Sequence, residues 1–485
     1  MRGRIVTGLR LRLVVFMALA ALVALAAGCA ALRPAGEKKE REKAAAQGRA
    51  YTEKVKLPAL GPEPTPGEYL RYAFLNNADL QARYWQWRSA IERIPQSSSF
   101  PNVAVPFSVM FGGGSMKLWD RLTLGLVNDP MTNIPAPSKL RTAGRRDLED
   151  ARAAGQRFRE AKFLLQGRVL STYYDLALLA ETVRIQEEHI TLLELIARQA
   201  SVGAATGASG QRDLLKAQTE LDLARNALEN LKSRVPPLGA KMNALLGRGA
   251  TEAVPLPGAL PEPRPLPVPD DELIRAGFER SPELAALARD VAGRKEALNL
   301  ARQAYIPDFG LSASITSAAG NLGGMTVLPT RREAIKAGVE QARADLAATE
   351  AARTQYRRDL AASFVLNLYV LRNDERQVDL FEKTIIPRAR EAVLIAQTAY
   401  AADRATFLDL LEAQRTFLDA RLVAAQLRME REKALAAIET WSTVDVETMT
   451  PGAVSFRATT MRAAPTRGAT TTSPAAGAGM GGGGM

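Results

Sequence analysis

Between residues 70 and 441 the apolar positions fall into stripes of helical period. Leu214, Leu221, Leu228 and Val235 stand seven apart with Ala217, Ala224 and Leu231 between them, and Leu284, Val291, Leu298 and Tyr305 repeat the same spacing. A seven-residue repeat of Leu and Ala keeps one helix face apolar and narrow, the pattern of long helices packed side by side. It predicts helices over about 138–200, 211–235, 331–401 and 405–441, and shorter helices entered at Asn77 and Ser281. At about 1.5 Å per residue the longest span on the order of 90 Å, more than a compact globule uses. Two regions break the period. Ile306 to Ser317 alternates large and small residues and is followed by a partner run, Gly324 to Leu328. Val103 to Met110 and Leu122 to Val127 flank Gly112–Gly114 in the same way. Both regions predict strand pairs. Pro236-Pro237 predicts a kink or break in the helix it interrupts.

The pattern is written twice. Asn77-Ala-Asp79-Leu80 matches Ser281-Pro-Glu283-Leu284, and Asp213-Leu-Leu-Lys216-Ala217-Gln218 matches Asp409-Leu-Leu-Glu412-Ala413-Gln414, in the same order and at nearly the same offset of about 200 residues. The Pro-rich string Val254 to Pro269 lies at the join, where extended or polyproline chain is expected. The chain therefore divides into a signal peptide (1–28), a tether (29–66), a first repeat (67–252), a linker (253–270), a second repeat (271–441) and a Thr-, Ala- and Gly-rich tail (442–485) too poor in apolar residues to fold. Two strands per repeat make four per chain. Four strands cannot close a barrel or cover their edges in lipid, whereas three chains supply twelve.

Composition narrows the chemistry. The 485 residues are 47% hydrophobic, 24% charged and only 6% aromatic, with one Cys and one His. A disulfide framework, a Cys/His zinc site or a Ser/His/Asp or Cys/His nucleophile needs several such residues, so His189 reads as a surface or packing histidine, and no cofactor is expected. The net charge of +12 includes Arg2, Arg4, Arg10 and Arg12 of the signal, and no later basic cluster is interleaved with stacking aromatics, so nucleic acid is not an expected partner.

The N-terminus sets the compartment. A basic start, the apolar stretch Leu13 to Leu25 and the small residues Ala26, Ala27 and Gly28 read as a secretion signal. The run Leu25-Ala-Ala-Gly-Cys29 resembles the bacterial lipoprotein box, although Ala26 stands where that box usually has Leu. The resemblance implies that Cys29 becomes the lipid-bearing first residue, and two or more acyl chains anchor stably. Ala30 is not Asp, so the inner-membrane retention signal is absent.

The duplicated unit, Tyr305-Ile-Pro-Asp-Phe-Gly-Leu-Ser-Ala-Ser314 and the paired D-L-L-x-A-Q motifs together resemble TolC-like outer membrane efflux proteins, in particular their lipoprotein branch, over residues 67 to 441. The resemblance implies a mainly α fold of long antiparallel helices forming an α-barrel, with four strands per chain in a trimeric 12-stranded outer-membrane β-barrel. It implies a homotrimer serving as the exit duct of a tripartite efflux or type I secretion system, partnered by a periplasmic adaptor (membrane fusion protein), an inner-membrane pump and outer-membrane lipid. The helical turns would lie at the periplasmic tip and dock the adaptor: Gly203 to Gly210, with Gly207 at the family's turn glycine, and Ala401 to Arg404, where Asp403 replaces that glycine. Asp409 and Glu412, one turn apart, match an acidic constriction, while Lys216 replaces the second acid in the first repeat. Asp213, Tyr400 and Arg404 match links that hold the gate, although the family's arginine position holds Ala405. Asp213 also suits the N-terminal end of a helix on electrostatic grounds alone. Two alternatives stand beside the duct. A periplasmic adaptor would carry one helical hairpin between lipoyl-like β halves, where this chain has two hairpins and no such flanks. A structural coiled-coil lipoprotein without a pore would make the strand regions loops. An enzyme is the least expected class, for want of any catalytic constellation.

Overall fold

The computed structural model describes residues 32–53, 56–101, 103–104, 107–109, 122–128, 133–206, 211–264, 269–315, 320–402 and 404–442. The expected signal peptide, Cys29 and the expected tail after Ser442 lie outside them.

Each repeat opens with a pair of short helices: α3 (Pro66–Asn76) and α4 (Ala78–Ser98) in the first, α8 (Asp270–Arg280) and α9 (Pro282–Arg302) in the second. The matched motifs at their junctions are helix caps. Asn77 Oδ1 accepts from the Leu80 N–H at 3.0 Å, and Ser281 Oγ accepts from the Leu284 N–H at 3.3 Å. Each satisfies a helix-start N–H that has no partner inside the helix.

The long elements follow. Helix α5 (Pro137–Thr206) is 70 residues long, about 105 Å at 1.5 Å per residue. Its counterpart is a relay: α10 (Arg332–Leu380) passes through a π-turn at Phe381–Ile385 into α11 (Ile386–Ala401). Pro387 lacks the N–H that a regular helix would donate to residue 383, and the wider turn absorbs the defect. The return helices are α6 (Gln211–Lys232) and α12 (Phe407–Ser442). After α6 the expected break occurs: the chain turns at Ser233–Arg234, and Pro236-Pro237 stand in the first turn of α7 (Val235–Leu246), where a missing N–H costs nothing.

The strands form one antiparallel sheet across the two repeats. The stretches β1 (Val103–Ala104) and β2 (Phe107–Val109) both pair with β3 (Leu122–Asn128) and act as one interrupted strand. Next to β3 lies β4 (Asp308–Ile315), with Leu126 opposite Ala313, and β4 pairs in turn with β5 (Gly320–Val327). Among the described residues the sheet is thus four strands wide, two from each repeat. Strand β5 starts at Gly320 rather than at the expected Gly324, since its glycines sit easily against β4; a Cβ at Gly323 would stand 2.8 Å from Ser312 Oγ. At the foot of the sheet Ile134 and Phe309 exchange backbone hydrogen bonds of 2.7 and 2.9 Å, and Lys139 Nζ of α5 donates to Asp308 Oδ1 at 2.7 Å.

Three apolar clusters run along the helices. The first joins α3, α4, α5 and α7 around Tyr69, Trp87, Ile91, Val169 and Met242; Trp87 stacks on Phe158 at 5.8 Å. A second joins α8, α10 and α12 around Phe364, Leu371 and Ile438. The third ties the tip hairpins together through Leu193, Ile196, Ala217, Phe407 and Leu410. The heptad stripe of α6 faces inward as expected, with Ala217 and Ala224 innermost.

Two stretches outside the repeats carry more structure than their composition announces. Within the tether, 29–66, α1 (Glu37–Gln47) and α2 (Arg49–Thr52) are helical, and α1 lies on α4 and α5 with Ala44 fully buried. Pairs at helical spacing, Arg41–Glu37 and Lys43–Glu40, offset its charge, and Gly48 lets α1 close on Tyr84, whose ring carbon Cζ would be 2.0 Å from any Cβ there. The linker is extended as expected, yet it is docked. Val254, Leu256 and Leu260 pack on the first cluster, and Arg264 inserts against α12, donating to Glu432 Oε2 at 2.8 Å and Glu439 Oε1 at 2.6 Å.

Candidate functional site at the helical tips

The tips are the ends of α5 and α6 and of α11 and α12, opposite to the sheet along the long helices. Tyr400 packs edge-on against Phe407 at 6.0 Å, and Phe407, Leu410 and Leu411 are buried beneath it. Ion pairs bind α5, α6 and α12 together below the tips: Arg421 to Glu188 at 2.7 Å, Arg225 to Glu194 at 2.9 Å, and Arg415 to Glu220. Beside that last pair an open cleft of about 660 Å³ lies between α6 and α12, lined by Arg212, Leu215, Lys216, Leu408 and Leu411. His189 stands half-buried near Glu220, Arg415 and Asp419. Burial pushes its pKa below the ordinary value, with Arg415 adding to the effect and the carboxylates opposing it, so it stays a neutral packing residue.

The residues singled out in the sequence are placed as follows. Asp409 closes a reciprocal cap with Thr406: its Oδ2 accepts from the Thr406 N–H at 2.8 Å and hydroxyl at 2.7 Å, while the Asp409 N–H donates to Thr406 Oγ1 at 3.2 Å. These bonds hold the Asp409 carboxyl below the usual range, so it is ionised at neutral pH. Glu412 is exposed one turn further along α12. Asp213, half-buried, stands in the first turn of α6, where the helix dipole favours a carboxylate. Arg404 is exposed, and its N–H donates to Ala399 O at 2.8 Å, closing the end of α11. The turn after α5 is shorter than expected: Gly203 is still helical, α5 continuing to Thr206, because Ala204 and Ala205 extend a helix readily. Gly207, Gly210 and Asp403 lie outside the described residues.

Sequence reasoning missed one residue. Gln414 is almost fully buried, and among the described residues neither its amide nitrogen nor its oxygen has a hydrogen-bond partner. Its signal was the shared Gln of the D-L-L-x-A-Q motif, whose first-repeat copy, Gln218, is exposed. An unsatisfied buried amide weakens the packing of a hairpin end.

Long antiparallel helices, an open four-stranded sheet at one end and paired hairpins at the other define the fold of TolC-like outer-membrane channels. Solved structures agree: the outer-membrane channel OprN superposes with a TM-score of 0.68 over 82% of this chain and 96% of its own at 19% identity. The outer membrane protein VceC from Vibrio cholerae gives 0.66 over 78% and 95% at 16% identity. In sequence the chain is similar to the cobalt-zinc-cadmium resistance protein CzcC of Cupriavidus metallidurans, 23% identical over 292 residues. That match covers 57% of this chain and 66% of the relative, a little under two thirds of its length. No family model matches the chain.

Proposed function

We propose that the chain forms a homotrimeric outer-membrane duct, lipid-anchored at Cys29, and that it serves as the passive exit of a tripartite efflux or type I secretion system with an adaptor and an inner-membrane pump. The observation that carries this reading is the open sheet. β4 and β5 are eight residues each, about 26 Å at 3.3 Å per residue, close to the apolar height of an outer-membrane barrel. Such a sheet ends in two unpaired edges, and edges in lipid leave backbone groups unsatisfied. Joining three copies edge to edge removes them and gives twelve strands. Exposed Phe107, Phe309 and Met325 then face lipid or a neighbouring copy. The helices continue the bore across the periplasm, and the duct performs no bond chemistry.

At the tip, three copies present Asp409 and Glu412 as acidic rings favouring cations, Asp213, Tyr400 and Arg404 act as weak links of the closed iris, and the hairpin ends at Gly203–Gly210 and Asp403 receive the adaptor. Links of this kind near the surface contribute at most about 1 kcal/mol each, which suits a latch that must open. Native mass and particle shape of detergent-extracted protein test the assembly: a trimeric cylinder on the order of 100 Å long is expected, and a monomeric rod would sink it. Asp409→Asn with Glu412→Gln should reduce cation selectivity in planar bilayers; unchanged selectivity would remove the acidic rings from the mechanism.

A further inference from the structure

The two repeats meet along α5 and α9, and one part of that seam carries more charge chemistry than packing requires. Glu160 of α5 lies within hydrogen-bond reach of Glu283 of α9, in the very motif that caps α9. The two carboxyls line a cavity of about 340 Å³ together with Asp79 and Arg83 of α4, Arg157 and Arg168 of α5, and Tyr356 of α10. Two carboxylates at that distance cannot both stay charged at low cost. Among the described residues Glu283 Oε2 is buried and accepts no hydrogen bond, and the nearest cation, Arg157, stands 3.8 Å from it. Arg157 is already paired with Asp290 of α9. A proton held between the two glutamates would supply a donor at this point.

We propose that Glu160 and Glu283 form a proton-operated clamp between the repeats: one shared proton locks α5 to α9, and its loss in less acidic surroundings loosens the joint. Burial, then the hydrogen bond to Glu283 and its charge, push Glu160 up to about 7, against the opposing pull of Arg157 and Arg83. Tyr356 is pushed up to about 12, mainly by burial, and stays neutral, its hydroxyl bonded to Ser281. Charging the pair thus acts beside the cap of α9. The sign is fixed: a carboxyl raised in the fold stabilises it fully below the unfolded value near 4.5 and loses that contribution as pH rises through about 7. The other ties along the seam, Arg289–Glu149 at 3.1 Å and Arg145–Glu296 at 3.5 Å, involve arginines and carboxylates on the same two helices and are partly exposed. They keep the joint from parting when the clamp opens.

Hydrogen exchange of the full-length protein in detergent tests the clamp, read on peptides covering 155–165 and 280–292 and corrected for intrinsic pH dependence, with peptides from α6 as internal reference. The opening constant of the seam should rise about tenfold between pH 6 and pH 8 in the wild type. Glu160→Gln retains a donor for Glu283, so it should fold and abolish that rise; Glu283→Gln, a second variant with its own donor, should do the same. A wild type whose seam opens equally at both pH values overturns the proposal, as does a rise that persists in both variants. Neither readout depends on whether the assembled protein conducts.

Discussion

Replacing Arg264 with Met should be among the most damaging single changes available outside the apolar clusters. Arg264 reaches from the linker into α12 and is the cation that faces both Glu432 and Glu439, which are 1% and 0% exposed. Arg431 also touches Glu432, but it is committed to Glu375 at 2.9 Å and to the Arg264 carbonyl at 2.6 Å. Removing one member of a buried pair leaves a charge in a poorly solvated site and costs roughly 3–5 kcal/mol, two to almost four powers of ten in the folding equilibrium. The deficit should depend on pH. Burial already holds Glu439 above its ordinary value, with Arg264 pulling the other way, so losing Arg264 raises it further. Protonation then relieves the cost of that buried charge in acid and not in base, and the variant should lose more stability at pH 8 than at pH 5. Urea unfolding of the full-length protein in detergent, followed by tryptophan fluorescence at both pH values, measures this. Adding Glu439→Gln to Arg264→Met should restore part of the loss. A deficit below about 1 kcal/mol at pH 8, or one equal at the two pH values, would refute the view that this network pins the linker.

Three further outcomes are expected. Gly48→Ala places a methyl group 2.0 Å from the Tyr84 ring, so α1 should leave its groove and residues 32–53 should become the first site of limited proteolysis; unchanged cleavage would show that α1 is not held there. Thr406→Ala should fray the start of α12, and in the wild type the same cap should weaken as pH falls through the depressed Asp409 value, since a lowered carboxyl contributes stability only while ionised; exchange rates of peptides spanning 405–412 report both. Cys29→Ser should abolish incorporation of labelled fatty acid, and persistent labelling would place the anchor elsewhere.

Much of this fold was legible because its determinants are periodic. The heptad stripe of α6, the two D-L-L-x-A-Q starts and the two capping motifs each declare themselves over a few residues, and the alternation around Phe309 marked β4. What stayed hidden depends on contacts remote in sequence. Nothing in Glu37–Gln47, a run of charges and alanines, announces that Ala44 meets α4 and α5; that depends on Gly48 and Tyr84 being brought together. The Pro-rich string declared its extended shape but not its anchor, since Arg264 finds Glu432 across 168 residues of chain. At the tip, the sequence placed Asp409 and Asp213 at helix starts and offered the first for an acidic ring and the second for a gate link. What it did not show is the partner of Asp409, Thr406, a reciprocal bond that exists only once the turn closes.

The matched lengths of α5 and the α10–α11 relay carry a consequence for how such a chain can change. One residue inserted into either shaft rotates everything beyond it by about 100° and advances it by about 1.5 Å. In α5 that would swing Glu188 and Glu194 away from Arg421 and Arg225. Only steps of about seven residues return the stripes to register, and a step taken in one shaft has to be taken in its partner and in the returning helices. The molecule is in effect a ruler graduated in heptads, whose reach can be reset only in whole divisions and in both repeats together.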